Sequence, residues 1–367
     1  MAGILYQRRT GRDLMRIINA FLQPYALPLR QPWRTARGRL TLRRGWLLGL
    51  ESETGLLGWG DCAPLAGTGT EAPTEARRAL AALLPRLHGL DIDPALRRLA
   101  ALPPAARCAA QTALLDLRAR DRGISLARLL GAGHCEQLRL NAACGALGPE
   151  AMRRVAAAAR AGYRTVKLKV GLAAPREEAR LLEQIARDHP GIGLRLDANG
   201  AWEPPQAHAF CDALAGLAVE SLEEPLRKPE YARLEALQAC CPFPLALDES
   251  LAGLDPEHFG TAFPVRRLVL KPTPLGGPLA TLRWAEKAAA GGVGVVLTST
   301  LESALGIAAV AQTAAAIAPE AVHGLATGDW FQRDLAAPPV ISRGCLRLPR
   351  EAGIGATLLT EAARGAD

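Results

Sequence analysis

The sequence predicts an α/β chain in which an α+β domain precedes a TIM-like barrel of eight parallel strands. Three observations carry the prediction. From about Gly131, short apolar runs alternate with amphipathic helical stretches. The alternation repeats at a period near 25 residues, about one βα unit. An ionisable residue closes most of the central apolar runs, where a barrel would gather such residues at one mouth.

In chain order, residues 1–14 (MAGILYQRRTGRDL) are polar and irregular, and read as an extension outside the folded unit or as translation from an upstream start codon. Strand-like sequence begins at Met15. RRGWLLGLESETGLLGWGD alternates and breaks at Gly55, as a hairpin should. Glu71 to Leu90 and Pro103 to Leu130 read as helical. Strands followed by helices make 15–135 an α+β domain. Two turn-rich stretches in it suit lids, LPLRQPWRTARG from Leu27 and APLAGTGTEAP from Ala63.

The barrel is expected over 136–325. Its strands are LRLNAAC from Leu138, TVKLKV from Thr165, LRLDA from Leu194, VESLEEP from Val219, PLALDES from Pro244, RLVLKP from Arg267, VGVVLTS from Val293 and VHGLA from Val322. Helices should begin near Pro149, Pro175, Glu203, Pro229, Pro256, Gly277 and Glu302. The rival, a doubly wound open sheet, would want a GxGxxG phosphate loop, which the sequence lacks. The tail over 326–367 has no βα pattern and should pack back on the α+β domain.

Composition limits the function. Hydrophobic residues make up 49% of 367, enough for a large core. The net charge of +8 is spread over helical segments beside Ala and Glu, which describes solvated helix faces and not a nucleic-acid footprint. Its functional use would be mild attraction of small anions. The eight cysteines form no CxxC pair, and Cys135, Cys144 and His134 lack zinc spacing, so all read as buried thiols of a cytoplasmic protein. No apolar run is long enough to span a bilayer.

Lys169, Asp197, Glu223, Asp248 and Lys271 each end their own apolar strand. Singly, each could be a helix cap or a solvated end. In register on five strands, they form a pocket. Three carboxylates without His or Cys make a hard oxygen site suited to Mg²⁺ or Mn²⁺. Without a cation they would repel one another and take up protons. A bound cation could hold a substrate carboxylate and stabilise the enediolate left when its α-proton departs. Burial and the cation should lower the lysine pKa values, so that one lysine can act as a base. Lys167 and Lys169 share a strand face, with Lys167 deeper and holding down its neighbour's charge. Arg195 is read as facing away from Asp197.

KLKVG (Lys167 to Gly171), LRLDANGAW (Leu194 to Trp202), LEEP (Leu222 to Pro225), LDES (Leu247 to Ser250) and LKP (Leu270 to Pro272) together resemble the muconate-lactonizing subgroup of the enolase superfamily. The resemblance runs from about Met15 to the C-terminus. It implies a capping domain on a (β/α)7β barrel, with Asp197, Glu223 and Asp248 as metal ligands and Lys169 and Lys271 as catalytic lysines. The mandelate-racemase subgroup has a histidine in place of the second lysine, and none falls there. GWGDCAPLAGTGTEAP, LKPTPLGG, LTSTLESALG and HGLATGDWF point to the branch that dehydrates a cyclohexadiene dicarboxylate in menaquinone biosynthesis. By that resemblance Lys169 removes and returns the proton and Lys271 stabilises the enediolate. Ser299, Thr300 and Arg195 are candidates for substrate binding. Asp61 replaces a common glutamate, and Thr298 and Thr300 replace loop serines. N-succinylamino-acid racemases and dipeptide epimerases share the same metal site and are the alternative. A non-catalytic basic nucleic-acid binder is a remote one. Deleting residues 1–14 should leave the melting temperature unchanged; a drop of several degrees would place them in the fold.

Overall fold

The computed structural model describes residues 15–35, 38–260 and 262–359, so the reading of 1–14 lies outside it. The N-terminal sheet is antiparallel in the order β1 (Ile17–Thr35), β2 (Gly38–Ser52) and β3 (Leu57–Cys62). Gly55, in the β2–β3 turn, has φ +79°, a conformation glycine adopts without a Cβ clash. The stretch from Leu27, read as a lid loop, is instead the outer half of β1, paired with β2. Its register shifts between Pro28 and Trp33, because proline cannot donate to the ladder and the strand bulges there.

Helices α1 (Pro73–Leu83) and α2 (Ile92–Arg97) lead to α3 (Pro104–Asp121), and α4 (Leu126–Leu129) follows. Apart from its ends, α3 is buried almost all round, which its alanine-rich sequence permits. Gly58 and Gly60 of β3 let it approach the sheet. A Cβ on Gly60 would strike the Ala109 carbonyl, and one on Gly58 that of Ala113.

LRLNAAC, read as one strand, is two. β4 (Gln137–Leu140) leaves the barrel, and β5 (Ala142–Ala146) begins it. The parallel sheet continues in sequence through β6 (Thr165–Lys169), β7 (Gly193–Asp197), β8 (Val219–Glu223), β9 (Leu245–Leu247), β10 (Arg267–Leu270) and β11 (Gly294–Leu297). Helices α5 (Pro149–Arg160), α6 (Pro175–Asp188), α7 (Pro204–Ala213) and α8 (Tyr231–Cys240) cover it. A short α9 (Pro272–Leu275) precedes α10 (Pro278–Ala290), and α11 (Ala304–Ile317) follows β11. The helix expected at Pro256 is only a 3₁₀ turn, Pro256–Phe259, ended by Gly260 at φ +57°. Ala246, Val269 and Val296 form a small cluster of their own, apart from the main core between sheet and helices, and so mark the lumen. Side chains two residues further along each strand share that face.

β12 (Val322–His323) closes the barrel. Gly324 N–H donates to Leu297 O at 2.9 Å, and Asn141 N–H donates to His323 O at 2.9 Å. β12 also joins β4, β14 (Cys345–Arg347) and β13 (Ile341–Ser342) in a separate sheet, in the order β12-β4-β14-β13. The tail therefore reaches two places. Through β14 it pairs with β4, and through Leu335, Ala336 and Ile354 it packs with Leu27, Leu47 and Leu115 of the N-terminal domain. Among the described residues no helix is long and apolar enough to cross a membrane. Five cysteines are buried, but Cys135 and Cys345 are half-buried and Cys240, the last residue of α8, is exposed, which corrects the reading of all eight as buried.

His323 is fully buried, and its Nδ1 accepts Leu297 N–H at 3.0 Å. Its Nε2–H is left to donate to Ala318 O at 3.0 Å, the arrangement of a neutral ring. Burial drives its pKa from 6.5 down to about 4. The unfolded chain thus binds a proton that the folded one refuses. The stabilisation is complete above pH 6.5 and is lost as pH falls toward about 4. A shift of that size is worth roughly 3 kcal/mol. Denaturant midpoints measured across this window should fall less steeply for His323→Gln than for the parent; equal slopes would assign the acid sensitivity elsewhere.

Candidate active site

Register sets the site. Lys169 pairs with Asp197 across β6 and β7, and Asp197 pairs with Glu223 across β7 and β8. Asp248 follows β9 directly, and Lys271 follows β10. Parallel strands thus bring residues from five βα units to one level at the C-terminal mouth. Asp197, Glu223 and Asp248 are 4%, 0% and 6% exposed, so little solvent screens their charges.

Two lysines hold these carboxylates. Lys167, one layer deeper, donates to Glu223 Oε2 and lies 3.0 Å from Asp197 Oδ2. Lys271 Nζ donates to Asp248 Oδ2 at 2.6 Å. Burial works against the charge on both lysines, but the carboxylates outweigh it and raise both pKa values. For Lys271 the paired carboxylate thus works against the lowering expected of a lysine beside a bound cation. Lys169 Nζ donates to a neutral acceptor, Asn199 Oδ1, at 3.1 Å. Burial raises the Asp197 pKa, but Lys167 outweighs it and the net direction is down. For Glu223, burial and the neighbouring carboxylates outweigh Lys167, and the direction is up.

Three supporting residues had escaped the sequence reading. Glu224 accepts Asp248 N–H at 2.7 Å, Ser250 N–H at 3.0 Å and Ser250 Oγ–H at 2.6 Å, and so fixes the end of β9. Asn199 donates to Glu249 Oε1 at 3.1 Å while accepting from Lys169. Both have positive φ, +44° for Glu224 and +45° for Asn199, a strained conformation that side chains at functional turns tolerate. Glu178 of α6 accepts the N–H groups of Gly171, Leu172 and Ala173, just beyond Lys169. Asn199 stands in DANG and Glu224 in EEP, so both were within motifs already singled out; Glu178 left no such signal.

The proposed substrate-binding residues fall differently. Arg195 shares its strand face with Asp197, because residues two apart on a strand point the same way; the reading that it faces away is corrected. It lies one layer deeper, fully buried, and bonds Asn141, the carboxylate of Glu220 and the carbonyl of Val322, so it holds the lower barrel together and does not reach the mouth. Thr300 is buried, and its hydroxyl donates to Glu302. Ser299 Oγ lies 2.9 Å from Thr327 Oγ1. Thr298, on the lumen face with Val296, has a buried hydroxyl with no hydrogen-bond partner.

The loop from Ala63 sits over this mouth. Thr70 Oγ1 accepts Leu65 N–H at 2.7 Å, Thr68 folds back on Leu65 O, and Gly67 and Gly69 turn at φ +90° and +87°. A Cβ on Gly69 would meet Ala252 and Pro274, and Thr68 lines a cavity with Asp248, Glu249 and Lys271.

Among the described residues no three His, Cys, Asp or Glu side chains converge into a ready metal cage. The donor set nonetheless suits a hard cation whose remaining ligands are water and substrate. All its atoms are carboxylate oxygens, and Glu223 Oε1 is buried with no hydrogen-bond partner.

The fold and site define a class, a capped parallel barrel with three carboxylates and two lysines at its mouth and a third lysine one layer below. The chain belongs to the enolase superfamily: the Enolase C-terminal domain-like family matches residues 150–363, and the Mandelate racemase / muconate lactonizing enzyme N-terminal domain matches 17–131. It is 35% identical over 190 residues to an o-succinylbenzoate synthase of Desulfotalea psychrophila, covering 50% of this chain and only about half (52%) of that protein. It is 30% identical over 306 residues to the o-succinylbenzoate synthase of Klebsiella pneumoniae, covering 82% and 88% of the two chains. In fold it resembles the substrate-liganded L-Ala-D/L-Glu epimerase of Bacillus subtilis, with a TM-score of 0.83 at 24% identity over 94% of this chain and 100% of that one.

Glu224→Ala should cost about 2 kcal/mol, since it leaves the buried Asp248 N–H and the half-buried Ser250 N–H without their acceptor. Glu224→Gln should retain most of the stability. Equal denaturant midpoints for the Ala variant and the parent would remove Glu224 from the support of Asp248.

Proposed function

We propose that this chain is an o-succinylbenzoate synthase, a cytoplasmic carbon–oxygen hydro-lyase that syn-dehydrates the cyclohexadiene dicarboxylate SHCHC to 2-succinylbenzoate in menaquinone biosynthesis. The observation that carries the reading is the asymmetry of the lysines. Lys169 faces a neutral amide, whereas Lys271 is paired with Asp248. A one-base elimination uses one lysine that moves a proton and one that keeps its charge; racemisation uses two interchangeable ones.

In this reading Asp197, Glu223 and Asp248 hold Mg²⁺, with Mn²⁺ a possible substitute. The bound cation supplies Lewis-acid stabilisation of charge on the substrate carboxylate. Lys169 Nζ takes the α-proton and returns it to the departing hydroxyl on the same face, so that water leaves and the ring becomes aromatic. Lys271 keeps its proton and offsets negative charge on the ring. Asn199 aims Lys169, and the loop over Leu65 to Thr70 excludes water.

The second reading, an N-succinylamino-acid racemase or dipeptide epimerase, is favoured by the likeness in fold to an epimerase. Weighing against a dipeptide, the acid on the β11 turn is not free for a substrate ammonium. Glu302 is already engaged by Thr273 Oγ1 at 2.6 Å and by Thr300 N–H at 2.7 Å. Purified protein with Mg²⁺ should convert SHCHC to 2-succinylbenzoate, followed by absorbance, and chelation should stop it. Lys169→Ala should lower kcat by roughly 10³-fold, within the range of a lost general base. Turnover of N-succinylamino acids but not of SHCHC would reverse the assignment.

A further inference from the structure

Arg43 of β2 is 2% exposed and lies outside the carboxylate–lysine group. Its guanidinium binds backbone carbonyls. Nε donates to Leu301 O at 3.0 Å, Nη1 to Pro64 O at 2.5 Å and to Arg44 O at 3.3 Å, and Nη2 to Ala63 O. Burying a cation among carbonyls is costly, so its retention needs a reason beyond filling space. The carbonyls supply one. Ala63 and Pro64 begin the loop that lies over the mouth. Leu301 belongs to the turn after β11, next to Ser299 and Thr300, and is held at φ +65°.

A second contact brackets the same turn. Asp61 of β3, fully buried, accepts Ser303 N–H at 2.9 Å and Ser303 Oγ–H at 2.7 Å, and Tyr25 donates to its other oxygen at 2.5 Å. The capping domain thus grips residues 301 and 303 from two adjacent strands. The planar guanidinium, with donors on three separate nitrogens, joins the overlying loop to that turn; lysine, whose donors share one nitrogen, does not match carbonyls spread around that fork.

We propose that Arg43 is a positioning residue that couples the loop of Leu65 to Thr70 with the β11 turn, so that both walls of the mouth are set together when substrate binds. The proposal rests on the mouth being the active site. It assigns Arg43 to substrate binding and not to the chemical step.

Hydrogen exchange by mass spectrometry on the full chain, without substrate, tests the coupling independently of any activity. In Arg43→Met, or in Arg43→Lys if the Met variant does not fold, amides of 65–70 and of 299–303 should both exchange faster by ~10-fold, while β7 is unchanged. With SHCHC, KM should rise ~10-fold with kcat within about 2-fold, the pattern of lost binding rather than lost chemistry. Asp61→Asn should loosen 299–303 and leave 65–70 protected. Unchanged exchange in both segments of a folded Arg43 variant, or faster exchange in one alone, overturns the coupling. A fall in kcat with KM unchanged overturns the assignment to binding. If the parent protein does not turn over SHCHC, the proposed reaction fails while the exchange result still decides the role of Arg43.

Discussion

Carboxylates cannot be crowded at one barrel mouth unless positive charge is placed among them. Two like charges about 4 Å apart repel by about 4 kcal/mol even at an effective dielectric near 20. Here Lys167 and Lys271 supply that charge, one from the layer below and one from the neighbouring strand. Much of the surrounding structure follows from this need. Glu224 pins the backbone that carries Asp248, and Glu178 ties down the turn that carries Lys169 onward to its helix.

The lumen is layered to match. Its middle holds the small apolar trio Ala246, Val269 and Val296. Lys167 and Arg195 stand at the same depth on the other side of the barrel, and below Val269, Arg267 shares the carboxylate of Glu220 with Arg195. Apolar and charged residues therefore divide that layer between opposite sides of the barrel.

The barrel was legible because its strands are apolar runs at an even period, and each site residue ends one. Position in the repeat fixed Asp197, Glu223 and Asp248 at one level before any contact was known. What escaped the sequence depends on contacts that no period encodes. The split of LRLNAAC into β4 and β5 is set by pairing with β14, about 200 residues later. The outer half of β1 looked like a loop because its prolines mask a strand that β2 imposes. The burial of Thr300 and the depth of Arg195 depend on partners elsewhere, Glu302 in one case and Glu220 in the other. The pairing of Lys271 with Asp248 and of Lys169 with Asn199 turned on which neighbour lies nearest, and spacing alone does not give distance.

The sheet in which β4 lies between β12 and β14 has a consequence for how the protein comes into being. Gln137–Leu140 emerges from the ribosome long before its partners Val322–His323 and Cys345–Arg347. Until they arrive, the barrel lacks its closing strand, and its first and last parallel strands are bare hydrogen-bonding edges. Non-local pairing of this kind folds slowly and exposes sticky intermediates. Nascent chains that stall before residue 322 should therefore be the form of this protein that calls most on chaperones.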